Sequence, residues 1–428
     1  FENKYKIDLE DNFNLTALNY HPGEKYCQSV IELEDNHIAF SNSGMRHTGD
    51  SKGGLIIIDL DLRKIDDIFN TENTNETLGG QNGIYKFDWD DNYTLINQVL
   101  TFDNKIYTLN PYNELHHNPL CIYDISEDSW SAINLGNNSL YLPQGLAIDR
   151  NGQIWIGFMN EVTYEPYGQP YSDGGIRLIN ENYQFTEIDN DEILIGGKGS
   201  DVWSLDICEY DNFDILWVLT SEGVQGYTIF QNQLSPVSNM DLFSEIPFYK
   251  GDHLKCDQSS NIWITTTHSG VRTILAENNY TDFWPTYDGM TSDNSGLLSN
   301  IVYDVNFNSK SGKIYFATDK GVSILHSPFS DVSYNNKGKY KIYFDKNPFI
   351  VPADEDLVIS NIPLGSTIII MDLNGNVLRR IKGSNFTQYI WDGRDSWGNY
   401  LNSGIYIVAS SNPNGKNSIS KVAIIRDK

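Results

Sequence analysis

Apolar residues along this chain fall into short runs rich in β-branched and aromatic side chains, each bounded by Gly, Asn, Asp or Ser. No window carries apolar residues at i, i+3, i+4 and i+7 over three turns, so the pattern predicts strands and turns, not helices. The clearest unit runs from Gly145 to Gly157. In it a strand ends on Asp149, a turn follows, and a second strand opens with Trp155. The unit returns at Ser204–Thr220 followed by Gly223–Tyr227, at His253–Thr267 followed by Ser269–Leu275, and at Val302–Thr318 followed by Gly321–Leu325. Weaker copies precede it at Ser29–Phe40 with Gly54–Ile58, and at Val99–Thr108 with Leu120–Tyr123. The aromatics Trp155, Trp217, Trp263 and Tyr315 are 62, 46 and 52 residues apart. That period suits four short strands per unit, which predicts an all-β β-propeller of six or seven blades over residues 1–326. A seventh unit has room in residues 60–95. The last unit lacks an outer strand, which Lys4–Leu9 could supply to close the ring. The recurring Trp reads as an apolar wedge between blades.

Beyond the repeats the pattern changes. Residues 327–340 are polar and read as a linker. Residues 341–428 hold about seven short strands, among them a hairpin over Thr367–Leu378 with an Asn-Gly turn, which predicts an immunoglobulin-like β-sandwich. Its recurrent pieces are Asn347-Pro348-Phe349, Trp391-Asp392-Gly393, Gly398, Gly404 and Tyr406, and a terminal strand over Ser420–Arg426. Gly and Asp there supply turn chemistry.

Charge narrows the function. The 428 residues carry a formal net charge of −27. Nucleic acid and anionic lipid need clustered Lys and Arg, so neither is an expected direct partner. No run of 18 apolar residues occurs, so no helix is expected to span a membrane. Phe1 is neither an initiator Met nor the start of a signal peptide, which reads as a chain beginning after processing or after a further N-terminal part. Cys27, Cys121, Cys208 and Cys256 form no C-x-x-C pair. Cys208 and Cys256 hold the same place in two units and read as two small buried hydrophobes in preference to a disulfide. The acidic runs Asp88–Asp91 and Asp189–Glu192 match no calcium loop and read as solvated turns. No hydrolase, metalloprotease, phosphate-loop or dinucleotide signature occurs, so no enzyme activity and no cofactor is expected.

The connections between second and third strands differ in length. They are long at Asn42–Gly53, Asn110–Pro119 and Met159–Asp173 and short in the last three units. Three consecutive blades therefore put polar loops on one sector of one face, the usual place for a binding surface. The candidates there are Arg46 for an anionic group, His47, His116 and His117, and Tyr164, Tyr167 and Tyr171 for stacking on sugar rings. The histidines lack carboxylates at ligand spacing and read as solvated loop residues, not a metal site. The sector is expected to bind a glycan or a partner protein.

Two resemblances add to this. Ser295–Val302, Trp263-Ile264-Thr265 and Lys320-Gly321-Val322 resemble pieces of the periplasmic sensor propellers of hybrid two-component regulators, over about residues 28–326. The Asn347-Pro348-Phe349, Trp391-Asp392-Gly393, Ser403–Tyr406 and Lys421–Arg426 pieces resemble the immunoglobulin-like (FlgD-like) C-terminal sorting domain of type IX secretion substrates. Together they resemble the PorZ-like surface proteins of the type IX attachment complex of Bacteroidota. That resemblance implies a non-enzymatic scaffold associated with the outer membrane at the cell surface. Its implied partners are a PorV-like shuttle barrel and a PorU-like sortase, with anionic lipopolysaccharide as a further ligand. The family carries two propellers and one is visible here, so the resemblance implies either a further propeller before Phe1 or a shorter relative. The alternative is a secreted propeller cargo, a glycan-binding protein or carbohydrate-active enzyme, whose C-terminal domain is only an address.

Overall fold

The structure is a computed structural model. It describes residues 2–4, 29–42, 53–71, 73–75, 77–78, 94–111, 119–133, 142–161, 172–179, 185–188, 195–210, 213–231, 233–237, 242–276, 279–308, 313–326, 340–354, 356–363, 365–382, 387–411 and 417–427. Among these there is no α-helix.

Among the described residues six four-stranded antiparallel sheets follow one another along the chain. After β1 (Glu2–Lys4), blade 1 is β2 (Val30–Glu32), β3 (His37–Asn42), β4 (Gly54–Asp59) and β5 (Lys64–Phe69). Blade 2 is β6 (Gln98–Phe102), β7 (Lys105–Leu109), β8 (Leu120–Asp124) and β9 (Ser129–Ile133). Blade 3 is β10 (Pro143–Ile148), β11 (Ile154–Glu161), β12 (Ser172–Ile179) and β13 (Phe185–Glu187). Blade 4 is β14 (Val202–Tyr210), β15 (Phe213–Thr220), β16 (Gly223–Phe230) and β17 (Gln233–Pro236). Blade 5 is β18 (His253–Cys256), β19 (Ile262–Thr266), β20 (Gly270–Leu275) and β21 (Asp282–Trp284). Blade 6 is β22 (Val302–Asn308), β23 (Lys313–Thr318) and β24 (Gly321–His326), with β1 as its fourth strand.

The expected closure is therefore present in kind, but it is Glu2–Lys4 that pairs with Val322–Ile324, while residues 5–9 lie outside the described residues. Within the stretch 60–95, Lys64–Phe69 is the outer strand of blade 1, and much of the remainder lies outside the described residues.

The tryptophans wedge between blades as their spacing suggests. Trp155 packs with Val202, Leu205 and Leu216 of blade 4. Trp217 packs with Leu254, Ile262 and Ile264 of blade 5, and Trp263 with Val302, Val305 and Phe316 of blade 6. Each is fully buried. Truncating such a side chain to Ala costs about 3–5 kcal/mol.

The first strand of each blade lies innermost, and separate sheets leave its backbone without ladder partners on that side. Side chains supply them. Ser29 Oγ accepts from Val99 N at 3.0 Å and donates to Val99 O. Gln98 does the same for Leu146 at 2.7 and 2.9 Å. Ser204 Oγ accepts from Leu254 N at 3.1 Å, and Asp206 Oδ2 accepts from Cys256 N at 2.7 Å. Lys255 Nζ pairs with Asp304 at 2.8 Å. Between blades 3 and 4 the backbones themselves approach, and a Cβ on Gly145 would stand 2.7 Å from Leu205 N.

Cys208 and Cys256 form a disulfide between blades 4 and 5, with Cα atoms 5.8 Å apart. This overturns the expectation of two separate buried thiols. Equivalent positions of adjacent repeats are far apart on outer strands, but on innermost strands they meet near the axis. Cys121 is buried in blade 2, where burial raises its thiol pKa. Cys27 lies outside the described residues.

The C-terminal part is a two-layer sandwich. One sheet orders β25 (Tyr343–Phe344), β27 (Leu357–Ser360) and β30 (Tyr389–Trp391). The other orders β26 (Phe349–Val351), β32 (Asn417–Arg426), β31 (Gly404–Ser411), β28 (Thr367–Met371) and β29 (Val377–Ile381). Ile359, Ile368, Ile370, Trp391, Val408 and Val422 fill the space between them. Tyr340 is buried in the same core and donates from its hydroxyl to Ser410 O at 3.2 Å.

Two outcomes follow. Replacing Cys208 and Cys256 together by Ala frees a loop of 48 residues. That weakens the propeller by about 4 kcal/mol on chain-entropy grounds. Denaturant unfolding of the pair variant, with and without reductant on the parent, checks this. Asp206 is the second case. Burial, opposed by the Cys256 and Ile207 N–H groups, pushes its carboxyl up to about 6. Its folded pKa exceeds its unfolded one, so its contribution is full below about pH 4 and is lost as pH rises through about 6. The loss is about 2–3 kcal/mol relative to Asp206→Asn. A stability gap between the two proteins that stays constant from pH 4 to 7 would refute this.

Candidate functional site

In each blade the strands alternate direction, so the link from the second to the third strand and the link to the next blade leave on the same rim. On blades 1 to 3 that rim carries the long loops. Arg46, His47, His116, His117, Tyr164, Tyr167 and Tyr171 all lie in them, outside the described residues. The loop of blade 3 is shorter than the sequence suggests, because β11 and β12 pair out to Glu161 and Ser172. No cluster of three or more potential metal ligands occurs among the described residues.

The motif residues of the sandwich are all described, and they converge at one end of it. Asn347 Oδ1 accepts from Ala423 N at 3.0 Å and its amide donates to Lys421 O at 3.3 Å, so it clips the chain onto β32. Pro348 precedes Phe349, which is buried and opens β26 parallel to β32. The Trp391 ring lies 6.1 Å from Phe349, and its indole N–H donates to Arg394 O at 2.9 Å. Asp392 accepts from Arg394 N. Gly393 sits at φ 73°, where a Cβ would stand 2.5 Å from Val351 and 2.8 Å from Phe349. Arg394 lies 3.9 Å above the Tyr400 ring and donates to Gly398 O at 2.8 Å. Gly404 pairs with Ile424, and Tyr406 donates to Asn402 O at 2.8 Å. Arg426 donates to Asn402 Oδ1 at 3.0 Å. The pieces the sequence singles out are thus mutual packing partners.

Two loops here share one construction. Asp372 accepts from the N–H groups of Asn374 and Asn376, and Gly375 stands at φ 87°. Asp395 accepts from Trp397 and Asn399, with Gly398 at φ 85°. The Asn376 amide on Asp372, and the Asn399 N–H on Asp395, hold these carboxyls below the usual range. The hairpin over Thr367–Leu378 therefore closes through five residues around an Asp, not through a two-residue Asn-Gly turn. Asp149 and Asp257 build the same turn in blades 3 and 5. The second Asp-turn lifts Trp397 into solvent, where it is 79% exposed.

One face of the five-stranded sheet is also open and apolar. Ile405 pairs with Ala423, and Ala409 with Ile419, on the side away from the core. Ile405, Ile419, Ile425 and Val377 are all exposed on that side. Such a patch marks an interaction surface more often than bare solvent.

On the rim of blades 4 to 6 stands Arg272, a residue with no local signal in the sequence. It is 9% exposed on β20 and donates to Ser269 Oγ at 3.0 Å. An Arg in an apolar strand run carries no motif. The aligned units place Arg177, Gln225, Arg272 and Ser323 opposite Ile156, Val218, Ile264 and Phe316. That alignment was the available signal.

No family model matches the chain, and no curated protein matches it. Among solved structures it is similar to PorZ, an essential bacterial surface component of the type IX secretion system of Porphyromonas gingivalis. The identity is 16% and the TM-score 0.55, over 93% of this chain and 51% of PorZ. It is also similar to the extracellular domain of a one component system, BT4673, from B. thetaiotaomicron, at 14% identity and a TM-score of 0.45, over 96% of this chain and 57% of the other. The chain spans about half the length of these two structures. The likeness to PorZ is one of fold.

The two glycines of the motif end separate a packing requirement from a turn requirement. Gly393→Ala destabilises the sandwich by about 2–3 kcal/mol, because strain at positive φ adds to overlap with two core side chains. Gly398→Ala, with open space around its Cβ position, costs about 1 kcal/mol. Unfolding midpoints of the two variants check the order, and equal losses would refute it.

Proposed function

We propose that this chain is a non-enzymatic surface scaffold of the type IX secretion attachment machinery. The propeller presents a binding rim, and the sandwich docks on the secretion apparatus. The observation that carries the reading is the extent of the PorZ likeness, which takes in nearly the whole chain. Two features of the molecule support it. The motif residues Asn347, Pro348, Trp391, Asp392, Gly393, Gly398, Gly404 and Tyr406 are built into one end of the sandwich. The Cys208–Cys256 bridge suits an oxidising compartment outside the cytoplasm.

In this reading the partners are an outer-membrane shuttle barrel of the PorV kind and a sortase of the PorU kind, with an anionic lipopolysaccharide as a further ligand. The open apolar face around Ile405 and Ile419 is the surface offered to the shuttle barrel. Its area is apolar with Lys421 set among the isoleucines, which favours a protein surface over bulk water.

The alternative of a cargo with a disposable address is separated by mass. In the scaffold reading, protein purified from the cell surface has an intact mass that includes residues 341–428. A surface form lacking them would sink the scaffold reading and favour the cargo one. The Ile405→Lys, Ile419→Lys pair should lower copurification with the barrel at least tenfold without shifting the melting of the sandwich. Undiminished copurification would remove this face from the proposal.

A further inference from the structure

We infer that the rim of blade 5 holds an anion-recognition site centred on Arg272, and that it takes the carboxylate of an acidic saccharide. The Arg272 side chain runs beneath Gly289 and is nine-tenths buried. Of its five N–H donors, one is bonded, to Ser269 Oγ in the link between β19 and β20. Its Nε has no partner, and no carboxylate among the described residues forms an ion pair with it. An aromatic ring, Phe243, stands 6.0 Å from the guanidinium. A buried cation left this way is costly unless something completes it.

The repeat supplies an internal comparison. Arg177 holds the same position in blade 3 and is 1% exposed, but there Asp173 faces it at 2.9 Å. Blade 4 places the neutral Gln225 at that position, and blade 6 the hydroxyl of Ser323. Blade 5 alone among these four keeps the charge and omits the counter-ion. The bond to Ser269 aims the guanidinium at the rim.

The surroundings indicate what completes it. Tyr287 is 43% exposed and is braced by Phe243 and Phe283 at 4.9 and 5.0 Å. A rigid, half-exposed ring beside a guanidinium matches a sugar ring carrying a carboxylate. The protein's net charge of −27 repels a polyanion. One acidic group on an otherwise neutral sugar therefore fits better than a densely charged chain. Two carboxylates act on Arg272 through space without forming an ion pair with it, the exposed Asp288 and the buried Asp252.

The inference deepens the glycan part of the proposed function, but its test uses the isolated chain. Purified protein is titrated calorimetrically with hexuronate trisaccharides, with their neutral hexose counterparts and with a singly sulfated analogue. The expected result is at least tenfold tighter binding of an acidic trisaccharide than of its neutral counterpart. Arg272→Gln should remove that preference, and Tyr287→Ala should weaken binding at least fivefold. Loss of sulfated-analogue binding in Arg272→Gln would also support an anion site, with a sulfate ester as the source of the charge. Absence of any acidic preference in the parent, or its survival in Arg272→Gln, would overturn the inference. Stability gives a second readout. Arg272→Gln should melt no lower than the parent, as blade 4 already carries Gln there, whereas Arg177→Gln should melt lower. A loss in Arg272→Gln matching that of Arg177→Gln, or one reproduced by Asp288→Asn, would make Arg272 structural and end the proposal. Failure here leaves the scaffold reading standing, and failure of copurification leaves this site standing.

Discussion

A ring of separate sheets has a constraint that a single sheet does not. The innermost strands lie side by side without forming a ladder, so their backbone donors and acceptors need other partners. Ser29, Gln98 and Ser204 meet this by copying a peptide unit, each taking the N–H and giving to the C=O of one residue in the next blade. Asp206 and the Lys255–Asp304 pair continue the seam with charge. Everything outside depends on this, because the tryptophan wedges can interlock only if the inner strands hold register. The disulfide sits at the same seam, one residue from Lys255 and two from Asp206, and makes that junction covalent.

The sandwich solves a different problem with a device borrowed from the blades. A carboxylate that accepts two or three N–H groups fixes a five-residue turn without a large core, and it recurs at Asp149, Asp257, Asp372 and Asp395. At the first two it joins inner strands. At the last two it shapes the motif end, where Arg394 over Tyr400 and Arg426 on Asn402 complete the corner. The residues that read as an address are first of all residues that hold the corner together. A docking partner would therefore recognise the shape they fix, plus the exposed Trp397, and not the buried Trp391 or Gly393.

Fold was legible where period and turn chemistry agreed. The spacing of Trp155, Trp217, Trp263 and Tyr315 locates blades 3 to 6, and strand alternation with Asp and Gly turns locates the sandwich. What escaped was long-range placement. The Cys208–Cys256 bridge needed the knowledge that equivalent inner positions meet at the axis, which a repeat alignment alone does not give. The closing strand was found in kind but placed a few residues late, since Lys4–Leu9 and Glu2–Lys4 carry similar strand signals. The long-loop candidates stand out by length and composition alone, and they fall outside the described residues. Arg272 was missed because a single Arg in an apolar strand has no local signature; its meaning comes only from its neighbours in space.

That last point carries over to the rim as a whole. A repeat protein varies the same position several times within one chain, so each blade is a control for the others. At the third-strand position the fold accepts a paired Arg, a Gln, an Arg without a counter-ion, and a Ser. Packing alone cannot demand the charge in blade 5, because Gln225 and Ser323 fill the equivalent space without one. The wedge tryptophans do not vary this way between blades 3, 4 and 5, as a packing role requires. Variation at a buried position, with a charge kept where the fold does not need it, is the mark of a residue whose partner comes from outside the chain.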